Sequence, residues 1–228
     1  MAIKVKSSYM NTEGITTQFT RAPGDHAVPT SGRHVEVFDD FHYSGKWESV
    51  LSAGCTLVGT AGTGVAITHD GNADGDDALI RGNCFWTPTQ GKNFVWEARV
   101  KVALITDEYF FGMATHVVTG DAVAIANANC MGFQLDGDAN LEAVVTSGTT
   151  PDDDDTTIDV VADTFYILRF EYDGDAHVLR SYVDGVLKNT VTSPALPVVP
   201  LAPVFGARAT GSHACTLTVD YVYYKGEL

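Results

Sequence analysis

Apolar and polar residues alternate along most of the chain from Val35 onward, and this two-residue period predicts β-strands. The longest alternation covers residues 94–104 and gives one apolar face, formed by Phe94, Trp96, Ala98, Val100 and Val102. Residues 108–118 predict the next strand. The last alternation predicts a face shared by Cys215, Leu217, Val219, Tyr221 and Tyr223. A helical turn is predicted only within "DAVAIANANCMG", residues 121–132.

Asp-Gly pairs separate several of these segments and predict tight hairpin turns, because this dipeptide tolerates the positive φ angles that such turns need. The pairs are Asp136-Gly137, Asp173-Gly174 and Asp184-Gly185. The second and third pairs bound predicted strands at 165–172, 177–183 and 186–191. In contrast, the acidic run "TTPDDDDTTI" at 149–158 predicts a solvated loop at an exposed edge.

Many strands at a spacing of about ten residues, with turn signals between them, indicate an all-β sandwich or jelly roll. No repeat of about 20–50 residues is visible, so a propeller or solenoid is not predicted. Residues 1–34 show no sustained period and predict an extended N-terminal arm, which a partner or its own domain would order. The predicted organisation is therefore an arm at 1–34 and one domain at 35–228.

The net charge of −15 argues against nucleic-acid binding, which requires a basic face. The arm alone carries +2, and its basic residues Lys4, Lys6, Arg21 and Arg33 are predicted to contact an acidic capsid or a neighbouring subunit. The alternative is that so small an excess arises by chance. No run of 18 apolar residues and no secretory h-region is found, so neither a membrane span nor export is predicted.

Four cysteines, Cys55, Cys84, Cys130 and Cys215, form no C-x-x-C pair, which makes a zinc knuckle or ribbon improbable. Buried, reduced thiols are the expectation for a chain without a secretory signal. Cys130 and Cys215 stand among strand-like residues and are predicted to lie in the core.

The order of the β segments resembles that of concanavalin A-like (laminin-G-like) jelly rolls found among virion structural proteins of tailed phages. The resemblance covers residues 35–228, and its most specific parts are "YVDGVL" at 182–187 and "TVDYVYY" at 218–224. It implies a sandwich of two antiparallel sheets, one of them concave, and a capsid decoration (cement) role. These two motifs are shared across the superfamily, so they mark the fold better than the function.

The stretch "HDGNADGDDALIRG", residues 69–82, begins like a calcium loop, with oxygen ligands at alternate positions before a glycine. An EF-hand is rejected, because Arg81 takes the position of the closing glutamate and strands rather than helices flank the loop. A different calcium site, formed by Asp70, Asn72, Asp74 and Asp76, stays open beside the commoner alternative of a metal-free acidic turn.

A glycosidase motif of the E-x-D-x-E type is the nearest catalytic candidate, and it falls at Glu171, Asp173 and Asp175. Strand alternation would place such carboxylates on one face. Here the acid position holds aspartate and a hairpin turn interrupts the strand at Gly174. Hydrolase elbow, P-loop and dinucleotide motifs are also absent, so the chain is predicted not to be an enzyme.

The sequence-based prediction is a non-enzymatic capsid decoration protein that binds the major capsid protein on the outer surface of the virion. It would be made in the host cytoplasm and form a homo-oligomer, most simply a trimer. The alternative is a carbohydrate-binding or host-adhesion module on the virion. Among the aromatic residues, Trp86 before Thr87-Pro88 is the best candidate for a contact with a sugar or another subunit.

Overall fold

Strands dominate the computed structural model, which describes residues 34–41, 47–60, 64–70, 75–82, 86–89, 91–115, 119–148, 152–192 and 196–227. In chain order, the elements are β1 (His34–Asp39), β2 (Glu48–Leu51), β3 (Thr56–Thr60), β4 (Gly64–His69), β5 (Asp77–Arg81), β6 (Phe94–Val102), β7 (Glu108–Ala114), α1 (Ala122–Ala126), β8 (Cys130–Asp136), β9 (Asn140–Thr146), β10 (Asp152–Asp159), β11 (Tyr166–Asp173), β12 (Val178–Val183), β13 (Val186–Thr192), β14 (Ala202–Arg208) and β15 (Cys215–Glu227).

Two antiparallel sheets form a sandwich, as the sequence predicts. The eight-stranded sheet has the order β13-β12-β11-β6-β15-β4-β3, with β1 paired to β15. The seven-stranded sheet has the order β10-β9-β8-β7-β14-β5-β2. The predicted all-β jelly roll of the concanavalin A-like type is therefore confirmed at the level of the fold.

The core between the sheets is built from alternate residues of each strand, as the period of two requires. In β6 the alternation predicted over 94–104 is confirmed for Phe94–Val102, where every second residue, starting with Phe94, is buried. Trp96 stacks on Phe170 of the same sheet, with ring centroids 5.1 Å apart, and reaches Phe205 of the opposite sheet at 5.9 Å.

The predicted hairpin at Asp184-Gly185 is confirmed, since both residues have positive φ, 49° and 78°. The predicted turn at Asp173-Gly174 is longer than two residues. Asp173 ends β11, and His177, with φ 56°, supplies the positive angle. Gly174 is needed for another reason: a Cβ there would lie 2.2 Å from the backbone nitrogen of Lys92.

Two sequence-based predictions, one for the acidic run and one for the last strand, are wrong in detail. The acidic run forms strand β10, not a loop, although it does lie at the predicted edge of a sheet. In β15 a register shift between Val219 and Tyr221 reverses the alternation. Cys215, Leu217 and Val219 are buried as predicted, but beyond the shift the buried residues are Val222 and Tyr224 instead of Tyr221 and Tyr223.

The predicted arm lies outside the described residues except for His34, which begins β1. Its basic residues Lys4, Lys6, Arg21 and Arg33 therefore stay predictions. Cys130 and Cys215 are buried, free thiols, as predicted. Within the described ranges, no helix has the length and hydrophobicity needed to cross a membrane.

Candidate functional site

Four polar side chains stand side by side on the outer face of the seven-stranded sheet, and we call them the polar row. Strand register pairs Glu108 of β7 with Asp136 of β8 and with Arg208 of β14, and pairs Arg208 with Asp77 of β5. Their chain neighbours Tyr109, Leu135, Ala207 and Ala78 belong to the core between the sheets. Alternation therefore directs the polar row away from that core.

Arg208 links the row to the segment before α1. Its Nη1 donates to Glu108 Oε2 at 3.2 Å and to Asp121 Oδ2 at 2.7 Å. The other carboxylate oxygen of Asp121 accepts from the amide of Ala124 at 2.8 Å and caps α1. One guanidinium thus joins β7, β14 and the start of the helix.

Glu108 is the most buried carboxylate of the polar row, with 9% of its surface exposed. Burial raises the pKa of Glu108 above its ordinary value, against the lowering effect of the Arg208 charge. The negative charges of Asp121 and Asp136 raise this pKa further. The three carboxylates of the polar row and that of Asp121 surround one arginine, so this face is rich in hydrogen-bond acceptors.

Asp77 holds the covering segment in place. Its Oδ2 accepts from the amide of Gly120 at 2.9 Å and from the hydroxyl of Thr119. Gly120 itself packs directly on the sheet, since a Cβ there would lie 2.3 Å from the carbonyl oxygen of Ala78. Residues 119–126 consequently lie flat against the outer face.

An apolar cluster fills the part of the outer face next to the polar row. It consists of Leu79, Phe110, Ala114, Ala122, Ile125, Ala126, Cys130, Val144 and Val204, all buried. Helix α1 contributes Ala122, Ile125 and Ala126 to this cluster. One part of the face is thus covered by the chain itself, and the polar row lies beside the cover.

On its other side the polar row continues toward the sheet edge. Gln134 Nε2 donates to Glu142 Oε2 at 2.7 Å across β8 and β9. Glu142 is in turn paired in register with Asp155 of β10. Asp136 and Asp155 are exposed and Glu142 is half-buried, so a ligand in solution can reach this end of the row.

The residues predicted for calcium are only partly described. Asn72 and Asp74 lie outside the described residues, Asp70 is exposed after β4, and Asp76 is half-buried before β5. Among the described side chains, Asp70 and Asp76 belong to no compact group of three metal-ligating residues. Calcium at this loop stays a prediction.

Trp86, predicted as a contact for a sugar or another subunit, is 6% exposed. Its ring stacks on Phe94, with centroids 4.2 Å apart, and its Nε1 donates to the carbonyl of Glu227 at 3.3 Å. These contacts explain its burial at the strand end and correct the expectation that its ring faces outward.

Two of the three glycosidase-like carboxylates, Glu171 and Asp173, share the outward face of β11, and the third does not. Glu171 and Asp173 lie on β11, and Asp175 lies in the turn that follows it. The carboxylate of Glu171 pairs with Arg169, and that of Asp173 pairs with Arg180. Whether these three carboxylates act in catalysis stays a prediction.

No protein-family model and no curated protein matches the chain. Several solved structures, in contrast, are similar to the chain in fold. A β-1,3-1,4-glucanase (lichenase) from a mouse hindgut metagenome is 12% identical, with a TM-score of 0.62 over 83% of this chain and 98% of the other. The β-glucanase of Bacillus licheniformis is 13% identical, with a TM-score of 0.60 over 86% and 99%. Peanut lectin is 12% identical, with a TM-score of 0.59 over 85% and 97%.

These neighbours contradict the prediction that the chain is not an enzyme, because glucanases share its fold over most of its length. At this identity the likeness establishes the fold alone. The position of Asp175 in the turn after β11 therefore does not support a non-enzymatic assignment. The polar row was missed in the sequence because its members lie far apart in the chain.

Proposed function

We propose that the protein binds carbohydrate through the polar row and its extension at Gln134 and Glu142. The observation that carries the proposal is the register that places Asp136, Glu108 and Arg208 side by side on the outer face of a jelly-roll sheet. Carboxylates accept hydrogen bonds from sugar hydroxyls, and the guanidinium donates to ring and hydroxyl oxygens. The structural similarity to glucanases and to a lectin supports the same class of ligand.

Binding to glucan fragments is the direct test. We expect saturable binding of β-1,3-1,4- or β-1,3-linked oligosaccharides in a glycan array and in calorimetry, with reducing-end release followed in the same samples. Asp136→Asn and Glu142→Gln should each weaken binding about tenfold, because each removes one charged acceptor.

The matched control is Glu171→Gln, which makes the same chemical change on the outer face of the other sheet. It should leave the affinity unchanged. The proposal fails if no glycan in the array binds, or if Glu171→Gln weakens binding as much as Glu142→Gln does.

A role on the capsid is the second candidate and rests on the sequence resemblance and the basic arm. Under this hypothesis the arm would bind the major capsid protein and a homo-oligomer, most simply a trimer, would bind neighbouring capsomers with increased avidity. The glucanases and the lectin that share the fold bear only on the fold.

Removal of residues 1–34 tests the capsid hypothesis. The truncated domain should stay folded by circular dichroism but lose binding to capsids that lack the protein, measured by co-sedimentation. Full occupancy by the truncated protein would contradict the hypothesis. Light scattering of the full chain gives the oligomeric state independently.

A further inference from the structure

A second polar cluster is buried between the two sheets, away from the outer face. His69 ends β4 and faces Cys215, which begins β15, across the strand ladder of the eight-stranded sheet. Asp107 comes from the other sheet, one residue before β7. One imidazole nitrogen, the thiol sulfur and one carboxylate oxygen lie within 4.8 Å of one another.

The hydrogen bonds of the cluster converge on Asp107. His69 Nε2 lies 3.2 Å from Asp107 Oδ2, and His213 Nε2 lies 2.7 Å from Asp107 Oδ1. The amide of Thr210 also donates to Oδ1, at 3.2 Å. The hydroxyl of Tyr109 contacts the sulfur of Cys215.

The charge of this carboxylate is the unusual feature. The Asp107 side chain is fully buried, and its salt-bridge partners among the described residues are two histidines, with neither lysine nor arginine. A buried carboxylate is ordinarily compensated by a cation or a metal ion. A metal ion bound beside Asp107 would supply such a charge.

We propose that His69, Asp107 and Cys215 form a binding site for a zinc ion, with His213 as the fourth ligand. Nitrogen, sulfur and carboxylate oxygen donors together suit Zn²⁺, which binds them in a tetrahedron. Bonds of about 2.0–2.3 Å place tetrahedral ligand atoms about 3.3–3.8 Å apart, so the donors of His69, Asp107 and Cys215, within 4.8 Å of one another, need to close by about 1 Å.

His213 gives the ion a route to the cluster. Its side chain is 38% exposed, whereas those of His69 and Asp107 are fully buried. It lies in the loop between β14 and β15, and its Nε2 reaches Asp107 Oδ1 from that loop. The zinc ion would then join strands of both sheets.

The chemistry of binding is a proton exchange. Burial raises the pKa of the Cys215 thiol to about 12, with a lowering effect of the Tyr109 contact and a raising effect of Asp107. Cysteine ligates zinc as the thiolate, so the thiol has to lose its proton when the ion binds. Zinc replaces that proton at sulfur, and the proton leaves to solvent.

Zinc titration of the full chain tests the proposal, after treatment with a chelator and a reducing agent. We expect one ion per chain and a rise in melting temperature of about 5–10 °C when free Zn²⁺ exceeds its dissociation constant a hundredfold. Co²⁺ in place of zinc should give a thiolate-to-metal absorption band. Saturation without that band would overturn the assignment of Cys215.

Variants separate this site from adventitious binding. Cys215→Ala should weaken zinc binding at least a hundredfold, and His213→Ala, at a half-buried position, about tenfold. Cys130→Ala, which removes a buried thiol of the apolar cluster, should bind like the original chain. Wild-type affinity in both Cys215→Ala and His213→Ala would refute the site. If Cys215→Ala does not fold, His213→Ala and the Co²⁺ spectrum decide.

Discussion

Replacing Trp96 by alanine is expected to lower the free energy of unfolding by about 3–5 kcal/mol, the largest effect that we expect from one side chain. Trp96 is the third residue of β6 and is fully buried. Its ring contacts Phe170 within its own sheet and Phe205 across the sandwich. Truncation removes contacts to both sheets and leaves a cavity that strands cannot easily close.

Phenylalanine at the same position is the informative comparison. The indole Nε1 of Trp96 is buried without a hydrogen-bond partner among the described residues. Trp96→Phe keeps an aromatic ring against Phe170 and removes the unpaired donor, whose burial is unfavourable. We therefore expect it to cost about 1 kcal/mol, well below the alanine variant.

Urea unfolding followed by circular dichroism measures both variants, with the slope m checked for two-state behaviour. The explanation is contradicted if Trp96→Ala costs less than about 1.5 kcal/mol, or if Trp96→Phe costs as much as Trp96→Ala. Equal costs would show that the Nε1 atom has a partner in solution, such as an ordered water.

Strand β6 was predictable because both of its faces follow from local alternation. The apolar positions from Phe94 to Val102 face the core, and the intervening positions face outward, as expected for a strand with one solvated side. The turn at Asp184-Gly185 was predictable for the same reason, since its conformation depends on two adjacent residues.

Strand β10 was not predictable from its own residues, because aspartate is disfavoured in strands. Pairing with β9 outweighs that preference, over Asp152–Asp155 and again from Ile158 after a bulge. At a sheet edge, charged side chains also discourage pairing with another chain. The bulge in β15 likewise depends on simultaneous pairing with β6 and β4.

The polar row could not be predicted from the sequence. Asp77, Glu108, Asp136 and Arg208 come from four strands, and only the order and register of those strands bring them together. Trp86 is an error of the opposite kind, because the sequence predicted an exposed contact where the structure has a buried ring. Its position before Thr87-Pro88 indicated a strand end, but its burial depends on Phe94 in a neighbouring strand.

Replacing Arg208 by methionine is expected to destabilise the protein by about 2 kcal/mol and to loosen α1. Its guanidinium faces the buried Glu108 and the helix-capping Asp121. Removing one partner of a fully buried pair costs about 3–5 kcal/mol, and we halve that figure because one third of the Arg208 side chain is exposed. Hydrogen exchange of residues 119–126 should become faster.

A second substitution shows whether the uncompensated charge causes the loss. Adding Glu108→Gln to Arg208→Met should restore about 1 kcal/mol, because the remaining buried group is neutral. Arg99→Met is the matched control, since Arg99 is similarly exposed and pairs with Asp220 at 2.6 Å on the other sheet. It should cost less than about 1 kcal/mol and leave exchange at 119–126 unchanged. If Arg208→Met behaves like Arg99→Met in both measurements, Arg208 does not hold the covering segment against the sheet.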